Sequence, residues 1–463
     1  LLYDQTCAAE KRRRRKRGEF PDPPMRVFIN EDVCEGCGDC STQSNCISVK
    51  PLDTDLGRKR QIDQSSCNKD FSCLKGFCPS FVTVRGGQIR KTAKPKAKTA
   101  TDLPDLPMPT LPALAQPYDI LVTGIGGTGV LTVGALLGMA AHIDGKGVSV
   151  LDFTGLAQKN GAVMSHIRLA PTPADLNAVR IGAGGADLLL GCDVLTSASA
   201  PALSRLERDV TRAVINTHEQ PTADFVTRPD LDFGGATMRK AILAAVGEAN
   251  TSFIDATRYA TALLGDSIAS NLFMLGYAFQ KGLVPLDFDA IDRAIVLNNV
   301  SVEMNRRTFA LGRLAAHDPQ ALAAMAQPVA VKATADRNAL EWIVADRETR
   351  LTAYQNAAYA NRYRALVDRA KAADAAANGD GAFAKAVARS FYKLMAYKDE
   401  YEVARLYTDG AFLERLNRQF DGDFTLEFNL APPLASRRDP ETGHLKKRAF
   451  GPWMFRAMKL LAK

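Results

Sequence analysis

The sequence lacks most features that would settle its class at a glance. It has no apolar run of about 18 residues, so no transmembrane helix and no membrane partner are expected. No basic n-region followed by an apolar h-region opens the chain, so no secretory signal is expected. There is no G-x-S-x-G elbow, no H-E-x-x-H and no Walker A loop. A thiamine-type Gly-Asp-Gly with Asn-Asn downstream is also missing. Gly-Asp-Gly occurs only at 379–381, after Asn298-Asn299 and inside a helical tail. Nor is there an initiator Met: the chain opens Leu1-Leu2-Tyr3-Asp4, as expected of a processed chain or a piece of a longer one.

What is present is ordinary in bulk and uneven in detail. At about 100–200 residues per domain, 463 residues make two to four domains. With 46% hydrophobic and 24% charged residues, a sizeable core is available. The net charge is +8, but Lys11-Arg12-Arg13-Arg14-Arg15-Lys16-Arg17 supplies seven of it, and removing those seven leaves +1. No groove-reading motif accompanies the run, so no nucleic-acid partner is expected. A solvated segment, or one docked on an acidic partner, is the expectation.

Seven of the nine cysteines lie between positions 34 and 78. In a long chain without a signal peptide such clustering means metal or redox chemistry in a reducing compartment, here the cytoplasm. Cys34-x2-Cys37-x2-Cys40 is the run by which a small loop wraps an iron–sulfur cluster. Structural zinc uses pairs, so a triple is one ligand too many for a knuckle. Glu35-Gly36 and Gly38-Asp39 supply turns that let backbone N–H groups approach the sulfurs. The Cys-Pro pair that closes such runs comes late, as Cys78-Pro79. The simplest folded-back assignment gives Cys34, Cys37, Cys40 and Cys78 to one [4Fe–4S] cluster. Cys46, Cys67 and Cys73 remain for a second, one ligand short. It would be a [3Fe–4S] cluster, a cubane completed by Asp70, Asp63 or Cys7, or degenerate. Zinc is the alternative for the whole region.

From residue 90 to Pro117 the composition turns Lys- and Pro-rich, as in a semi-rigid tether. An alternating β/α pattern follows. Tyr118–Thr123 reads as a buried strand, Val130–His142 as a helix and Gly147–Asp152 as the next strand. Further strands are expected at 187–190, 213–216 and 252–255, which together make a parallel, doubly wound sheet. Gly124, Gly126 and Gly129, with Gly127 and Thr128 between them, match G-x-G-x-x-G in strand-to-helix context. Asp152 ends the second strand, where a ribose-binding acid would sit. The loop either binds a nucleotide or another phosphate, or serves tight packing. Beyond Asp152, Lys159, Ser165, His166 and Arg168 either bind an anionic ligand or a partner loop, or belong to a loop capping the sheet edge, with His166 structural. From about Ser301 the chain reads as helical, with Phe391, Tyr392, Leu394, Met395 and Tyr397 as a core face. The tail from Phe420 to Lys463 reads as an irregular wrap.

Several longer stretches carry a resemblance. YDQTCAAEKRRRRKRG at 3–18, VCEGCGDC at 33–40 and QSSCNKDFSCLKGFCPSF at 64–81 resemble the 2-oxoacid:ferredoxin oxidoreductase family, in its long bacterial indolepyruvate type. GIGGTGV at 124–130, GLAQKNGAVMSHIR at 155–168 and SNLFMLGYA at 270–278 resemble that family's γ domain. AYKDEYEVARLY at 396–407 and FGPWM at 450–454 resemble the extra domain of the long type. The resemblance implies a multidomain α/β chain. Residues 1–24 would be a basic segment trailing a thiamine domain, and 25–90 a small ferredoxin-like iron–sulfur domain. A linker at 91–117 would lead to a γ-type α/β domain at 118–312 and a mainly helical domain at 313–463.

The implied reaction is oxidative decarboxylation of an aryl 2-oxoacid with coenzyme A to an arylacetyl-CoA and CO2, the electrons leaving through iron–sulfur clusters to ferredoxin. Thiamine diphosphate and Mg2+ would sit on a partner chain in a hetero-oligomer. The glycine loop and the 158–168 segment would touch that chain or the coenzyme A phosphates. The competing expectation is a stand-alone NAD(P)H- or flavin-dependent iron–sulfur reductase, with 124–129 as its dinucleotide site.

Overall fold

Strand formation begins where the basic run ends. In Met25–Ile29 (β1) the apolar Val27 and Ile29 alternate with Arg26 and Phe28, so one face is buried in the half-buried pattern of a strand. The computed structural model describes residues 4, 6, 8–46, 48–90, 103–126, 129–154, 161–219, 228, 230–232, 234–326, 336–432, 436–438, 440, 443 and 445–462. The chain divides into two units. One holds residues 1–90, 226–229 and 328–463, the other 91–225 and 230–327. No helix among the described residues is long and apolar enough to cross a membrane.

In the first unit, Val49–Thr54 (β2) and Gly57–Ile62 (β3) form an antiparallel hairpin. Phe81–Ile89 (β4) pairs antiparallel with β1, setting Val27 opposite Thr83. The cysteines lie in the loops between these strands. Cys34, Cys40 and Cys73 share a core cluster with Val27, Ile29 and Phe81. Part of the basic run is exposed, at Arg13, Arg14 and Arg17, and part is docked on this unit. It forms the helix Ala8–Lys16, and its Arg12 and Arg15 donate to the carbonyls of Ser66 and Asn68, on either side of Cys67. Loop carbonyls are acceptors that guanidinium groups can satisfy as well as carboxylates can.

The second unit carries a six-stranded sheet in the order β10-β9-β8-β5-β7-β6. Its strands are Tyr118–Ile125 (β5), Gly147–Thr154 (β6), Ala162–Ala170 (β7), Leu188–Gly191 (β8), Arg212–Asn216 (β9) and Thr251–Ile254 (β10). Strands β5, β8, β9 and β10 run parallel, as expected. The expectation of a wholly parallel sheet fails at β7, which is antiparallel to both β5 and β6. Only seven residues separate β6 from β7, whereas a parallel crossover needs about a dozen or more. The polar stretch therefore enters the sheet as a central strand instead of leaving it as a loop. The helix Val130–Ile143 packs over β5, β6 and β7. The Pro-rich stretch lies along this unit, with Leu103, Leu106, Leu111 and Leu114 against its core. There the Pro107 carbonyl accepts from Gln280 and Arg313.

From residue 340 the chain is again part of the first unit. Helices Leu340–Tyr354, Ala357–Ala376 and Ala382–Met395 pack around Tyr363, Val367 and Ala388, and the Tyr363 hydroxyl donates to the Ala388 carbonyl. Of the expected face, Met395 is buried, while Leu394 and Tyr397 are exposed. The tail is not an irregular wrap. Phe420–Leu430 (β11) pairs antiparallel with β4 and then with Arg448–Phe450 (β12), giving a sheet ordered β1-β4-β11-β12. After a register shift between Asp421 and Phe424, Phe424, Leu426 and Phe428 alternate with Thr425 and Glu427, and the apolar three join Phe420 in one core cluster. The apolar side packs against Tyr407 and Phe412 from the helices Glu400–Thr408 and Ala411–Gln419.

Candidate metal centre

After β1 the chain enters the first cysteine loop through Asn30, which is fully buried. Its side chain donates to the Leu406 carbonyl and accepts the Asp32 N–H, and its own carbonyl accepts the Cys34 N–H. Gly36 has φ +74°, and a Cβ there would stand 2.1 Å from the Arg58 carbonyl oxygen, so only glycine passes. That turn lets the Gly36 N–H donate to the Cys34 sulfur at 3.3 Å. Cys40 lies in the first turn of the short helix Asp39–Ser44.

Cys78 is brought in from 38 residues away by the pairing of β1 with β4, by the Asn30 N–H on the Ser80 carbonyl and by Asp39. The Asp39 carboxylate accepts the Phe77 N–H at 2.9 Å, and the Ser80 hydroxyl lies 3.0 Å from the Cys78 sulfur. The second group is held by a short 3-10 helix at Ser72–Lys75, which carries Cys73 and packs on the helix Asp39–Ser44. Here the Lys69 N–H donates to the Cys67 sulfur at 3.4 Å.

The thiols act on one another, mostly within the sets drawn from spacing but with Cys40 also acting on Cys73. Burial pushes Cys40 up to about 12, and Cys34 and Cys78 add to it. Cys34 is raised by burial and then by Cys78. Cys37, the exposed member, is raised by burial against the opposing Asp39 N–H, with Cys78 adding. Burial raises Cys73 as well, followed by Cys46, Cys67 and Cys40. Cys67 is raised by burial, opposed by the Lys69 N–H, then raised by Cys46.

For a fourth ligand in the second set, Asp63 is committed elsewhere. Lys50 at 2.8 Å and the Ser65 hydroxyl at 2.7 Å bring it down to about 2 despite its burial. Asp70 acts on both Cys67 and Cys73. Cys7 lies outside the described residues.

Buried cations complete the surroundings. Lys59 is 5% and Arg60 1% exposed, and the Arg60 backbone N–H donates to Cys34. Among the described residues no three Cys, His, Asp or Glu side chains converge closely enough to hold a single metal ion. A cubane asks for less convergence, because each thiolate binds its own iron. Buried thiolates are costly unless a metal takes their protons' place and cations stand near. Two thiol sets, N–H donors to sulfur and buried lysine and arginine side chains meet those requirements, so the residues fit iron–sulfur clusters. These cations were missed in the sequence because a charge in a strand such as Gly57–Ile62 reads as solvated.

In the second unit the described glycines of the loop are closely packed. A Cβ on Gly124 would lie 2.6 Å from Val130 Cγ2 and 2.9 Å from Cys192 Cβ. Gly126 faces Val163 and the Gly161 carbonyl, and Gly129 (φ +102°) starts the helix Val130–Ile143. Gly127, Thr128 and Lys159 lie outside the described residues.

The other expected ligand residues have internal partners instead. The Ser165 hydroxyl donates to Asp152 at 2.6 Å, and β6 stands at the sheet edge with β7 between it and β5, so Asp152 does not flank the glycine loop. His166 is 1% exposed. Its Nδ1 accepts the Ile181 N–H at 3.1 Å and its ring packs on Phe153. Burial, with Arg205 and Arg180 adding, lowers it to about 4. Arg168 pairs with Asp119 at 2.7 Å. As strand neighbours, Ser165 and His166 point to opposite faces and do not converge. Asp193 was missed: at the end of β8 its buried carboxylate accepts the Thr196 and Ile125 N–H groups. An Asp between a strand and a Val-Leu-Thr-Ser helix start was the available signal.

The second unit, a parallel core with one antiparallel strand inserted, is an α/β oxidoreductase component. Residues 119–315 match the family model of pyruvate ferredoxin/flavodoxin oxidoreductase, and form a domain of that family. Residues 340–463 match a family of unknown function, DUF6537. Among curated proteins the chain is similar to indolepyruvate oxidoreductase subunit IorB of Archaeoglobus fulgidus, 27% identical over 200 residues, covering 42% of this chain and 92% of the relative. It is likewise similar to the Thermococcus kodakarensis protein of that name, 27% identical over 209 residues, 43% and 96% of the two chains. Among solved structures it is similar to pyruvate oxidoreductase subunit PORC of Thermotoga maritima, at 19% identity and TM-score 0.31, over 43% of this chain and 96% of that one. The gamma subunit of a keto/oxoacid ferredoxin oxidoreductase from Geobacter sulfurreducens is similar at 22% identity and TM-score 0.30, over 43% and 98%.

Proposed function

We propose that this chain is the iron–sulfur subunit of an indolepyruvate (aryl-2-oxoacid):ferredoxin oxidoreductase, acting in the cytoplasm within a hetero-oligomer. A partner chain carries thiamine diphosphate and Mg2+. There the 2-oxoacid loses CO2, coenzyme A takes the acyl group as arylacetyl-CoA, and two electrons pass one at a time through this chain to ferredoxin. When bound, thiamine diphosphate supplies the electron sink for decarboxylation and the clusters supply one-electron acceptors.

The chain's own residues do the rest. Cys34, Cys37, Cys40 and Cys78 hold one [4Fe–4S] cluster. Cys46, Cys67 and Cys73, with Asp70 beside them, hold the second. The Gly36 and Lys69 N–H groups and the Ser80 hydroxyl stabilise charge on sulfur. The glycine loop at 124–129 with Lys159 meets the thiamine-bearing chain or the coenzyme A phosphates. The observation that carries this reading is the Asp39–Phe77 contact, which joins Cys78 to the 34–40 loop so that four thiols from two distant segments act on one another.

The test is anaerobic iron and acid-labile sulfide analysis with EPR of the reduced protein. About eight irons per chain with a spin-coupled spectrum is the expected result for two cubanes. About four would leave Cys46, Cys67 and Cys73 structural. Zinc without sulfide would overturn the reading.

A further inference from the structure

Lys447 belongs to the C-terminal segment, between a bridge at Leu445 and strand β12. Its ammonium is shielded from solvent, has no hydrogen-bond partner in the structure, and stands 4.9 Å from the centre of the Phe81 ring. Phe81 follows Cys78 by three residues and shares a core cluster with Cys34, Cys40 and Cys73. The groups that act on Lys447 are Cys78, Cys40, Asp39 and Cys73, members of both thiol sets and the carboxylate that joins the first. Burial moves this lysine below its ordinary range, and those anions act in the opposite direction. A buried ammonium needs a counter-charge. The Asp39 carboxylate and thiolates bound to iron would supply it.

This inference rests on the iron–sulfur reading above. We propose that Lys447 raises the reduction potential of the cluster held by Cys34, Cys37, Cys40 and Cys78, so that the C-terminal segment tunes the electron exit. The step is a one-electron reduction in which no bond forms or breaks. The electron comes from the 2-oxoacid oxidised on the partner chain and leaves to ferredoxin. Each electron adds one negative charge to the cluster. A fixed positive charge behind Phe81 favours the reduced form, through low-dielectric surroundings that screen it little. Lys447 touches no reacting atom and acts as a positioning charge.

The experiment uses the full chain with its clusters, as wild type, Lys447→Gln, Lys447→Met and Lys447→Arg, in an EPR-monitored redox titration with iron and sulfide measured alongside. The two neutral variants are expected to keep their iron and lower one midpoint by at least a tenfold change in the reduction equilibrium, about 59 mV for one electron. Arginine should hold the wild-type value. An unmoved midpoint in an iron-replete neutral variant overturns the proposal, as does an arginine variant shifted as far as glutamine. Loss of iron from both neutral variants also overturns it, since the charge would then serve assembly and not tuning. Wild-type protein without iron and sulfide overturns the function itself, which separates the two failures.

Discussion

Asp39 and Phe77 are joined by a hydrogen bond, carboxylate oxygen to backbone N–H at 2.9 Å, which adds to the strand pairing that brings two cysteine segments together. Asp39→Ala removes the acceptor and frees the Cys78 loop. A hydrogen bond to a charged group contributes about 1.5–3 kcal/mol. Iron content should fall and the unfolding midpoint should drop together. Full iron retention at wild-type stability would show that the two segments are held by something else.

Phe428 anchors β11 on the first unit, with Tyr407 and Phe412 at 5.2 and 6.5 Å between ring centres. It is fully buried, and Phe428→Ala should cost about 3–5 kcal/mol. The β4 edge would then be weakly covered and prone to pair with other chains. Equilibrium denaturation and light scattering read both effects, and a soluble variant of unchanged midpoint would contradict the strand's role.

His166 makes stability pH-dependent in a definite window. Its folded value of about 4 lies below the ordinary 6.5, so the unfolded chain takes its proton first. The contribution is complete above pH 6.5, starts to be lost below it, and is gone near pH 4. Its size is on the order of 3 kcal/mol. His166→Asn keeps an acceptor for the Ile181 N–H but cannot titrate. Denaturation midpoints followed from pH 7 to 4 should be flatter in the variant; parallel curves would rule the histidine out.

Gly124→Ala forces a methyl against Val130 and Cys192. Overpacking of this kind costs about 1–3 kcal/mol. Urea denaturation of the full chain should show the loss with no change in iron content, because the glycine lies in the unit that carries no clustered cysteine.

Local chemistry was readable in advance, and long-range pairing was not. The Cys34–Cys37–Cys40 spacing and the delayed Cys78-Pro79 pointed to cysteines that the fold does bring near one another, because loop geometry at cysteines is a near-neighbour matter. Strand β5, its glycines and the helix after them were equally local. Strand β7 was misread because Ser165, His166 and Arg168 look like loop residues until Asp152, Ile181 and Asp119 are there to satisfy them. The alternation from Phe420 to Leu430 was a visible strand signal, passed over beside Pro432-Pro433. Its partner β4 could not be found from it, since nothing local marks a pairing between residues as far apart as Arg85 and Glu427.

That separation also sets an order of events during synthesis. Arg85 on β4 pairs diagonally with Glu427 on β11, yet the two are 342 residues apart. At roughly 5–20 residues per second, the cysteine segment waits on the order of 20–70 s for the strand that completes its sheet. Throughout that interval β4 offers an open edge, and the thiols meet the cell before their cover exists. Closure of that edge is thereby tied to residues made long after the thiols, and a ribosome that stalls between the two would release a cysteine segment with its sheet unfinished.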